Sequence, residues 1–569
     1  MQVKYLITIC CIVCSQIVFA QWDGNPITVN NPVTNSPFSD RDAFSITDGA
    51  GGIISVWRIY DFNANIQSIY TQRKTTNGVV NWGTLNTPIL LFSSSNYIEF
   101  ADVIADGNGG AYISWIDNIT DTSSNLYLQK INSNGVTQFT ANGLKINPSN
   151  HHQYTDGKLC VDATGVIITW TDQITPAASN NPTYAQVFAQ HYNNLGQALW
   201  NSNGVQVSTV AGLRASAQII SDGNNGVFIA FADTRNSGLN SAGDFNNIDI
   251  YAQHLNSNGA KLWSNVDAIV SNEPYNQFNV FGKQSGTTMI ADSAGGFYIV
   301  YEDYRTNNDS SNNYYLQRLN SIGTRLLSIG GLALTGTNSR SAKNHIQLLS
   351  DGINGVVAAW DENDFSANIG EAHGQRINSA GTTMWGVNGL VVSLLAGENY
   401  GAKSMCADGS GNYIFIWNIV DATSATNVLR AQKINNAGSK QWVAAGVHIC
   451  NNPLSYPTNV NIVKSNNNNS IAIWEDDRNI STSSTDLYAA KISPTGSLLT
   501  TTNSSYITAA NGNWNNGATW LGGVVPPYAA DVIVKHNVVG NISTTCNSLS
   551  VLQPAILTIN TGIRITILQ

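Results

Sequence analysis

One pattern recurs along this chain of 569 residues from residue 48 to about residue 500, and it constrains the fold more than any other feature. Its clearest copy is SDGNNGVFIAFADTR (221–235) followed by DIYAQHLNSNGAKLW (249–263). Each copy contains a turn with Asp, or Asn in the last copy, at Asp48, Asp106, Asp162, Asp222, Asp292, Asp351, Asp408 and Asn466. The successive intervals are 58, 56, 60, 70, 59, 57 and 58 residues, so the chain holds eight repeats of about sixty residues.

Within each repeat the apolar residues alternate with polar ones, which is the period of a β-strand. Four strands are predicted: one ending at the Asp-Gly turn, one like GVFIAFAD, one like DIYAQHLN, and a fourth marked by Trp200 or Trp263. Eight four-stranded units of this size predict an all-β fold, an eight-bladed β-propeller spanning residues 21–505. Twelve of the fourteen tryptophans follow the repeat, which indicates that they fill the space between blades.

The N-terminal segment predicts how the ring closes. QWDGNPITVN (21–30) matches the fourth-strand pattern of WNSNGVQVS (200–208), with Trp22 and Val29 in the places of Trp200 and Val207. The last repeat has Thr500 where its own tryptophan should be. We therefore expect residues 21–30 to supply the outer strand of the last blade, which would also remove an exposed sheet edge.

The first twenty residues are typical of a secretory signal peptide, with Lys4, an apolar run over 5–19, and Ala20 at the cleavage position. A membrane anchor is the alternative, but the run is short for a span and no later stretch approaches twenty apolar residues, so no membrane span is expected. The net charge of −9 is spread without a basic patch, which argues against nucleic acid as a partner. We expect a secreted or cell-surface protein.

Four cysteines remain after the signal peptide, at 160, 406, 450 and 546. An even count in a secreted protein could indicate disulfides. However, Cys160 and Cys406 occupy one repeat position, where other copies have Ile104, Ile220 and Leu349. We favour buried, unpaired cysteines in separate blades.

The repeat unit combines Asp-Gly-x-Gly-Gly, aromatic-x-Asp-x-Arg, Tyr-Ala-Gln and a Gly followed by Trp. In this it resembles repeats in large, uncharacterised secreted bacterial surface proteins, many of which carry a C-terminal sorting domain. The resemblance covers some 450 residues of the chain. It implies export to the cell surface and brings no established activity.

The repeat stops near residue 506, where a Trp- and Gly-rich entry (ITAANGNWNNGATWLGG) is followed by short apolar strands. Residues 506–569 resemble the first turns of the right-handed parallel β-helix domains of secreted bacterial proteins. This resemblance implies a short solenoid-like segment, and a solenoid of so few turns cannot cover its last apolar face. We expect a truncated or split product that is less stable than the ring.

Three motifs could carry chemistry. Asp-Gly-Asn-Gly-Gly (106–110) could hold calcium, but it lacks the alternating carboxylates of a calcium loop, so a tight turn is favoured. The Asp and Arg of aromatic-x-Asp-x-Arg either pair locally or point together into the loops. His191 and His254 occupy the position that other repeats give to Arg or Lys, and the His151-His152 pair has no ligand partners nearby, so no metal, cofactor or catalytic site is predicted.

The leading hypothesis is a non-catalytic binding or scaffold protein, a monomeric ring that recognises a glycan or protein through its loops. The alternatives are a polysaccharide-active enzyme, a glycosidase or lyase, and a structural spacer in a surface fibre. Repeat scaffolds tolerate long loops, and binding residues collect there. We predict the ligand site between blades three and five, near the seventy-residue interval; the candidate residues are Tyr275, Phe278, Phe281, Asp233, Arg235, Asp303 and Arg305.

Overall fold

The fold is described from a computed structural model of the whole chain. The described residues are 22, 30–34, 38–84, 87–120, 122–146, 153–174, 184–238, 245–263, 266–279, 288–305, 313–335, 341–364, 369–393, 399–420, 427–452, 454–479, 484–499, 506–521, 525–526 and 530–567. The predicted signal peptide (1–20) lies outside them. In the described part of the chain, no helix is both long enough and apolar enough to cross a membrane.

The described strands are numbered β1 to β40 in chain order, and β1 is Asn31–Pro32. Blade 1 consists of β2 (Asp40–Thr47), β3 (Ile53–Asp61), β4 (Ile66–Lys74) and β5 (Ile89–Ser94). Blade 2 consists of β6 (Tyr97–Ala105), β7 (Ala111–Thr120), β8 (Ser123–Ile131) and β9 (Leu144–Lys145). Blade 3 consists of β10 (Gln153–Val161), β11 (Gly165–Ile174), β12 (Tyr184–Asn193) and β13 (Val205–Gln206). Blade 4 consists of β14 (Arg214–Ser221), β15 (Val227–Asp233), β16 (Asp249–Leu255) and β17 (Ala268–Ser271).

Blade 5 has a divided first strand, β18 (Gln277–Asn279) and β19 (Met289–Ala291), followed by β20 (Phe297–Asp303), β21 (Asn313–Leu319) and β22 (Leu332–Ala333). Blade 6 consists of β23 (Ser341–Ser350), β24 (Val356–Asp364), β25 (Ile369–Ile377) and β26 (Leu390–Val391). Blade 7 consists of β27 (Asn399–Ala407), β28 (Asn412–Val420), β29 (Asn427–Asn435) and β30 (Val447–Cys450). Blade 8 contributes β31 (Thr458–Lys464), β32 (Ser470–Asn479) and β33 (Ser484–Ile492).

These sheets form an eight-bladed β-propeller, as the repeat predicts. Within each blade the strands are antiparallel and adjacent in chain order. The first strands of successive blades contact one another in a closed cycle that returns from β31 to β2, so they are the innermost strands of the ring. The shared apolar faces pack between blades; for example, Trp82 of blade 1 packs with Phe100 and Trp115 of blade 2. The prediction that the repeat tryptophans fill the space between blades is confirmed for those of the ring, such as Trp82 and Trp115, whereas Trp22 belongs to another compact unit.

The N-terminal segment closes the ring, but four residues later than predicted. β1 pairs with β33, Asn31 with Ala489 and Pro32 with Tyr488, and Val33 N donates to Leu487 O at 2.7 Å. In blade 3 the corresponding bond runs from Val207 N to Val187 O, so Val33 takes the place predicted for Val29, a residue outside the described ones.

The predicted register was wrong because blade 8 is built from both parts of the chain. Residues up to Leu499 form the turn after β33, with Leu499 N donating to Lys491 O, and the N-terminal segment then adds the outer strand. Trp22 groups with a different compact unit and not with the ring, which spans Pro26–Leu499. With no continuous chain between the turn and the outer strand, the spacing from Trp200 to Val207 no longer applies.

Cysteine pairing follows the favoured prediction for the four described cysteines. Cys160, Cys406, Cys450 and Cys546 are all buried, and none of the four forms a disulfide. Burial raises the pKa of Cys160 to about 12, and it also raises the pKa of Cys450. Thiols that stay protonated are poor nucleophiles, so these cysteines act as apolar core residues.

The second compact unit contains Trp22 and the described residues between 506 and 567. One parallel sheet joins β34 (Tyr506–Ile507), β36 (Ala530–Val534), β38 (Thr544–Val551) and β40 (Ile565–Ile567). Another joins β35 (Gly512–Asn513), β37 (Val538–Gly540) and β39 (Leu557–Ile559), and a single 3-10 turn lies at Gly517–Thr519. Both sheets are small; their core contains the two tryptophans outside the repeat, Trp514 and Trp520.

Candidate functional site

The ring has two faces of different construction. The connections from first to second strand lie on what we call the turn face, and those from second to third strand lie on the opposite, loop face. The turn-face connections have nearly uniform lengths, like 48–52 and 106–110. The loop-face connections vary; their ranges are 62–65, 121–122, 175–183, 234–248, 304–312, 365–368, 421–426 and 480–483.

The Asp-Gly turns are structural. Asp48 Oδ1 accepts hydrogen bonds from the N–H groups of Ala50 and Gly52 at 2.8 and 2.7 Å, while Oδ2 accepts one from Arg73 at 2.9 Å. A Cβ on Gly52 would lie 2.2 Å from the carbonyl oxygen of Lys74, which explains the glycine. Because N–H groups and a guanidinium occupy the carboxylate, this loop is a turn, as favoured over a calcium loop.

The Arg73 side chain also joins blade 1 to blade 2. Arg73 donates to the carbonyl of Ser133 in blade 2, and Trp82 Nε1 donates to that carbonyl at 2.9 Å. Equivalent bonds from cation to next blade recur in later blades and finally across the closure: Arg318 to Ser379, Arg376 to Asn436, Lys433 to Pro494, and Lys491 to Thr76. Where a repeat carries them, the basic residue and the tryptophan thus bond adjacent blades together.

His191 and His254 take this structural position, as predicted. His254 Nε2 lies 2.9 Å from Asp222, and His191 Nε2 lies 3.2 Å from Asp162. Burial lowers the pKa of His191.

In blade 8 the turn position is held by Ser465, whose N–H donates to Asn469 O. The predicted turn residue, Asn466, is therefore one residue too late.

The Asp and Arg of the aromatic-x-Asp-x-Arg segment pair locally, the first of the two predicted arrangements. Arg235 lies 2.7 Å from Asp233 and 2.6 Å from Asp267, and its guanidinium stacks over Tyr251 at 3.7 Å. Asp233 also pairs with Arg214 at 2.8 Å and is fully buried. This group supports the base of the longest loop-face connection.

Blade 5 repeats the arrangement. Arg305 pairs with Asp303, stacks over Tyr315 at 4.1 Å and donates to Gly330 O at 2.7 Å. Asp303 is fully buried. The candidate residues Asp233, Arg235, Asp303 and Arg305 therefore lie in two separate ion-pair groups, one in each blade.

The candidate aromatics lie around the first strand of blade 5. Tyr275 is 45 % exposed just before β18, and its backbone carbonyl accepts a hydrogen bond from the Gln277 side chain. Phe278 is half-buried on β18, edge-on to Tyr304 with 5.8 Å between ring centroids. Phe281 lies outside the described residues.

The seventy-residue interval has a specific location. Asn279 pairs with Tyr301 and Met289 pairs with Ile299, so residues 280–288 are inserted into the first strand of blade 5. In several other blades this register position holds a two-residue bulge, whose first residue has a positive φ: Asp42 (54°), Asp156 (76°), Ser216 (64°), His345 (53°) and Asn459 (44°). The extra length therefore enters at the innermost strand of the ring.

Polar side chains near this bulge connect successive blades close to their innermost strands. Asp102 accepts from Leu159 N at 2.9 Å, Gln347 accepts from Met405 N at 2.9 Å, and Glu475 accepts from Ala43 N at 2.8 Å across the closure. Unlike the turn-face residues, these groups differ from blade to blade. Variable polar groups on a constant scaffold are the pattern expected of a ligand-binding surface.

Of the polar groups near this bulge, the pair His345 and Asp361 is the best suited to acid-base chemistry. His345 Nδ1 lies 2.6 Å from Asp361 Oδ1, and the Asp361 side chain is only 2 % exposed. The imidazole is 19 % exposed, and no hydrogen bond to its Nε2 is found among the described residues. When Nδ1 donates to this buried carboxylate, the neutral imidazole has Nε2 as an acceptor.

Sequence reasoning missed this pair. His345 lies six residues before the turn residue Asp351, the spacing that separates Asp42 from Asp48 and Asp156 from Asp162. This repeat position holds a polar residue that changes from blade to blade. That variation is the sequence signal that could have identified the His345–Asp361 pair. Among the described residues, no group of three or more His, Cys, Asp or Glu side chains is arranged to hold a metal ion.

The closure between blades 8 and 1 holds two acids with raised pKa values. Burial raises the pKa of Asp40 to about 8, with the charge of Asp486 adding to the effect. Burial also raises the pKa of Glu475 to about 7, although it accepts hydrogen bonds from Ala43 and Asn459. Both carboxyls therefore make the stability of the closure depend on pH.

Comparison with known proteins does not identify a function for this chain. No protein-family model and no curated protein matches the chain. Among solved structures, a protein of unknown function from Dyadobacter fermentans DSM 18053 is 9% identical with a TM-score of 0.37, over 82% of this chain and 97% of that one.

Two enzymes are similar at the same low level. The polysaccharide lyase Uly1 is 8% identical with a TM-score of 0.39, over 73% of this chain and 92% of that one. The endo-arabinase from Bacteroides thetaiotaomicron VPI-5482 is 14% identical with a TM-score of 0.26, over 52% of this chain and 99% of that one. Likeness this low carries no conclusion about activity, so function is argued from the residues themselves.

Proposed function

We propose that this is a secreted binding protein that recognises an extracellular glycan or protein through the loop face of its ring. The difference between the two faces supports this proposal. On the turn face the polar groups of the repeat are held in bonds that join blades, as at Asp48 and Arg73. On the loop face and the innermost strands, loop length and polar groups change from blade to blade, so recognition can be specific there.

The binding surface proposed from the sequence is kept, with roles refined by position. Tyr275 is exposed, and we assign ligand contact to Tyr275, Phe278 and Phe281. The pairs Asp233–Arg235 and Asp303–Arg305 are assigned to holding the ends of the loop-face connections 234–248 and 304–312. Stiff loop ends lower the entropy lost when a ligand binds.

A glycan array together with a protein-capture screen tests the proposal. Once a ligand is found, replacing Tyr275, Phe278 and Phe281 together with Ala should weaken binding at least about tenfold, or about 1.4 kcal/mol. A matched control is Phe62→Ala, since Phe62 is an exposed aromatic on the loop face of blade 1. Unchanged affinity in a folded triple variant would contradict the assignment of these residues.

The His345–Asp361 pair favours a second candidate, a polysaccharide-active enzyme. An imidazole held by a buried carboxylate can take a proton at Nε2, as a general base does. Incubation of polysaccharides with the protein, followed by measurement of new reducing ends and of unsaturated products, tests this. Release of either product by the natural protein and not by His345→Asn would establish catalysis at this pair.

We further propose that residues 1–20 direct secretion, that residues 506–569 begin a parallel β-helix, and that the ring is monomeric. The parallel pairing of β36 with β38 and of β37 with β39 supports the β-helix. Mass spectrometry of the exported protein would show whether cleavage follows Ala20. Light scattering would report its oligomeric state.

A further inference from the structure

Blades 5 and 6 bring a small group of polar and aromatic side chains together from several of their strands. The Tyr314 hydroxyl donates from blade 5 to the carbonyl of Lys343 in blade 6 at 3.2 Å. Burial, together with the nearby carboxylates of Glu302 and Asp361, raises the pKa of Tyr314. Glu302 of blade 5 and Asp361 of blade 6 therefore both lie near Tyr314.

The blade 5 side of the group is aromatic. The Tyr304 hydroxyl donates to Glu302 Oε2 at 3.3 Å, and the Phe278 ring lies edge-on to Tyr304. Phe278 also pairs with Glu302 across β18 and β20. All three side chains are partly exposed, so a ligand can reach them.

The blade 6 side is His345, whose role differs from that of the bulge residues in other blades. Asp156 accepts from Ser216 N of the next blade, and Asn459 donates to Ala43 O of the next blade. In blade 6 the bond to the next blade is made by Gln347 instead. Among the described residues, His345 therefore makes no hydrogen bond to the next blade, and none of them bonds its Nε2.

We propose that Phe278, Glu302, Tyr304 and His345 form the binding site for a neutral oligosaccharide. The site offers hydrogen-bond acceptors, the Glu302 carboxylate and His345 Nε2, which suit the hydroxyl donors of a sugar. The rings of Phe278 and Tyr304 provide the apolar surface on which a sugar face packs. An anionic polysaccharide would meet the negative charges of Glu302 and Asp361. This inference rests on the proposed function and names its ligand class and site.

Binding measurements on the whole protein test the site. Soluble gluco-, xylo-, manno- and galacto-oligosaccharides of four to six sugars are titrated by calorimetry, with oligogalacturonate as the anionic arm. The variants are His345→Asn, Glu302→Gln and Phe278→Leu. Asn is suited to position 345 because Asn459 holds the same bulge with a positive φ. Phe62→Ala on blade 1 is the matched control, and unfolding curves confirm that each variant is folded.

We expect a neutral oligosaccharide to bind, each of the three site variants to weaken it at least tenfold, and Phe62→Ala to leave it unchanged. If a neutral oligosaccharide binds but the site variants bind it equally well, the site is wrong while the proposed function stands. If only oligogalacturonate binds, the ligand class is wrong. If no glycan binds but the capture screen finds a protein, the inference fails alone; if neither binds, the proposed function fails with it.

Discussion

The substitution Asp40→Asn tests how much free energy of unfolding the ring closure loses by burying the Asp40 carboxylate. Its side chain is fully buried, and neither carboxyl oxygen has a partner in hydrogen-bond geometry among the described residues. Thr34 and Trp57 lie near enough to offset burial only in part, so the pKa rises from 3.8 to about 8. Asn has nearly the same shape and no charge, so it removes the ionisation without opening a cavity.

The sign follows from proton linkage. Between pH 4 and 8 the folded protein keeps a proton on Asp40 that the unfolded chain has lost, so stability falls as the pH rises through this window. A difference of one in pKa corresponds to about 1.4 kcal/mol. The change from 3.8 to about 8 thus sets an upper limit of about 6 kcal/mol, reached above pH 8. Water entry and local relaxation lower this, and we expect a gain of about 2 kcal/mol or more for Asp40→Asn at pH 9.

Urea unfolding followed by tryptophan fluorescence at pH 5, 7 and 9 measures the effect. The variant should match the natural protein near pH 4 and exceed it increasingly towards pH 9. Glu99→Gln, at an exposed carboxyl of blade 2, is the control and should show no such trend. A stability difference that is the same at pH 5 and pH 9, or that favours the natural protein at pH 9, would refute the reasoning.

Four further predictions concern the closure, the core and the second unit. Glu475→Gln keeps the acceptor for Ala43 N and removes a carboxyl whose pKa burial raises to about 7, so its stability gain should develop between pH 4.5 and 7 in the same urea experiment. Deleting residues 21–34 should lower the thermal midpoint of the ring by several degrees, because it removes the outer strand of blade 8, whereas deleting 21–29 should not; equal midpoints would contradict the observed register. Trp385→Ala should destabilise by about 3–5 kcal/mol, measured by urea unfolding, since Trp385 packs between blades 6 and 7 and its Nε1 donates to Asn436 O; a loss below about 1 kcal/mol would contradict this. Limited proteolysis should yield a resistant core ending between residues 499 and 505, and equal resistance of residues 506–569 would count against a less stable second unit.

The repeat architecture was predictable because its signals are local. The Asp-Gly turn needs a glycine where Lys74 O approaches Gly52, and a strand needs alternating apolar residues. The sequence of each repeat therefore predicts one blade. The structural roles of His191, His254 and the tryptophans followed from position in the repeat alone. The sequence also indicated that the N-terminal segment completes the last blade.

The candidate site was predictable only in part. Tyr275 and Phe278 were found because they depart from the repeat near the seventy-residue interval, and both lie at the first strand of blade 5. The sequence did not show that the extra residues enter the innermost strand. That placement depends on the pairing of Asn279 with Tyr301 and of Met289 with Ile299, which no local pattern specifies.

The sequence by itself determined the number of blades, the strands within them and the tryptophans that pack between them, since these follow from a pattern repeated along the chain. Tertiary structure decided the register of the closing strand, because blade 8 joins Leu499 and Asn31 with no continuous chain between them to fix the spacing. It also decided the contact of His345 with Asp361. The bulge turns the His345 side chain towards a carboxylate of the next strand, and that geometry exists only once the two strands are paired.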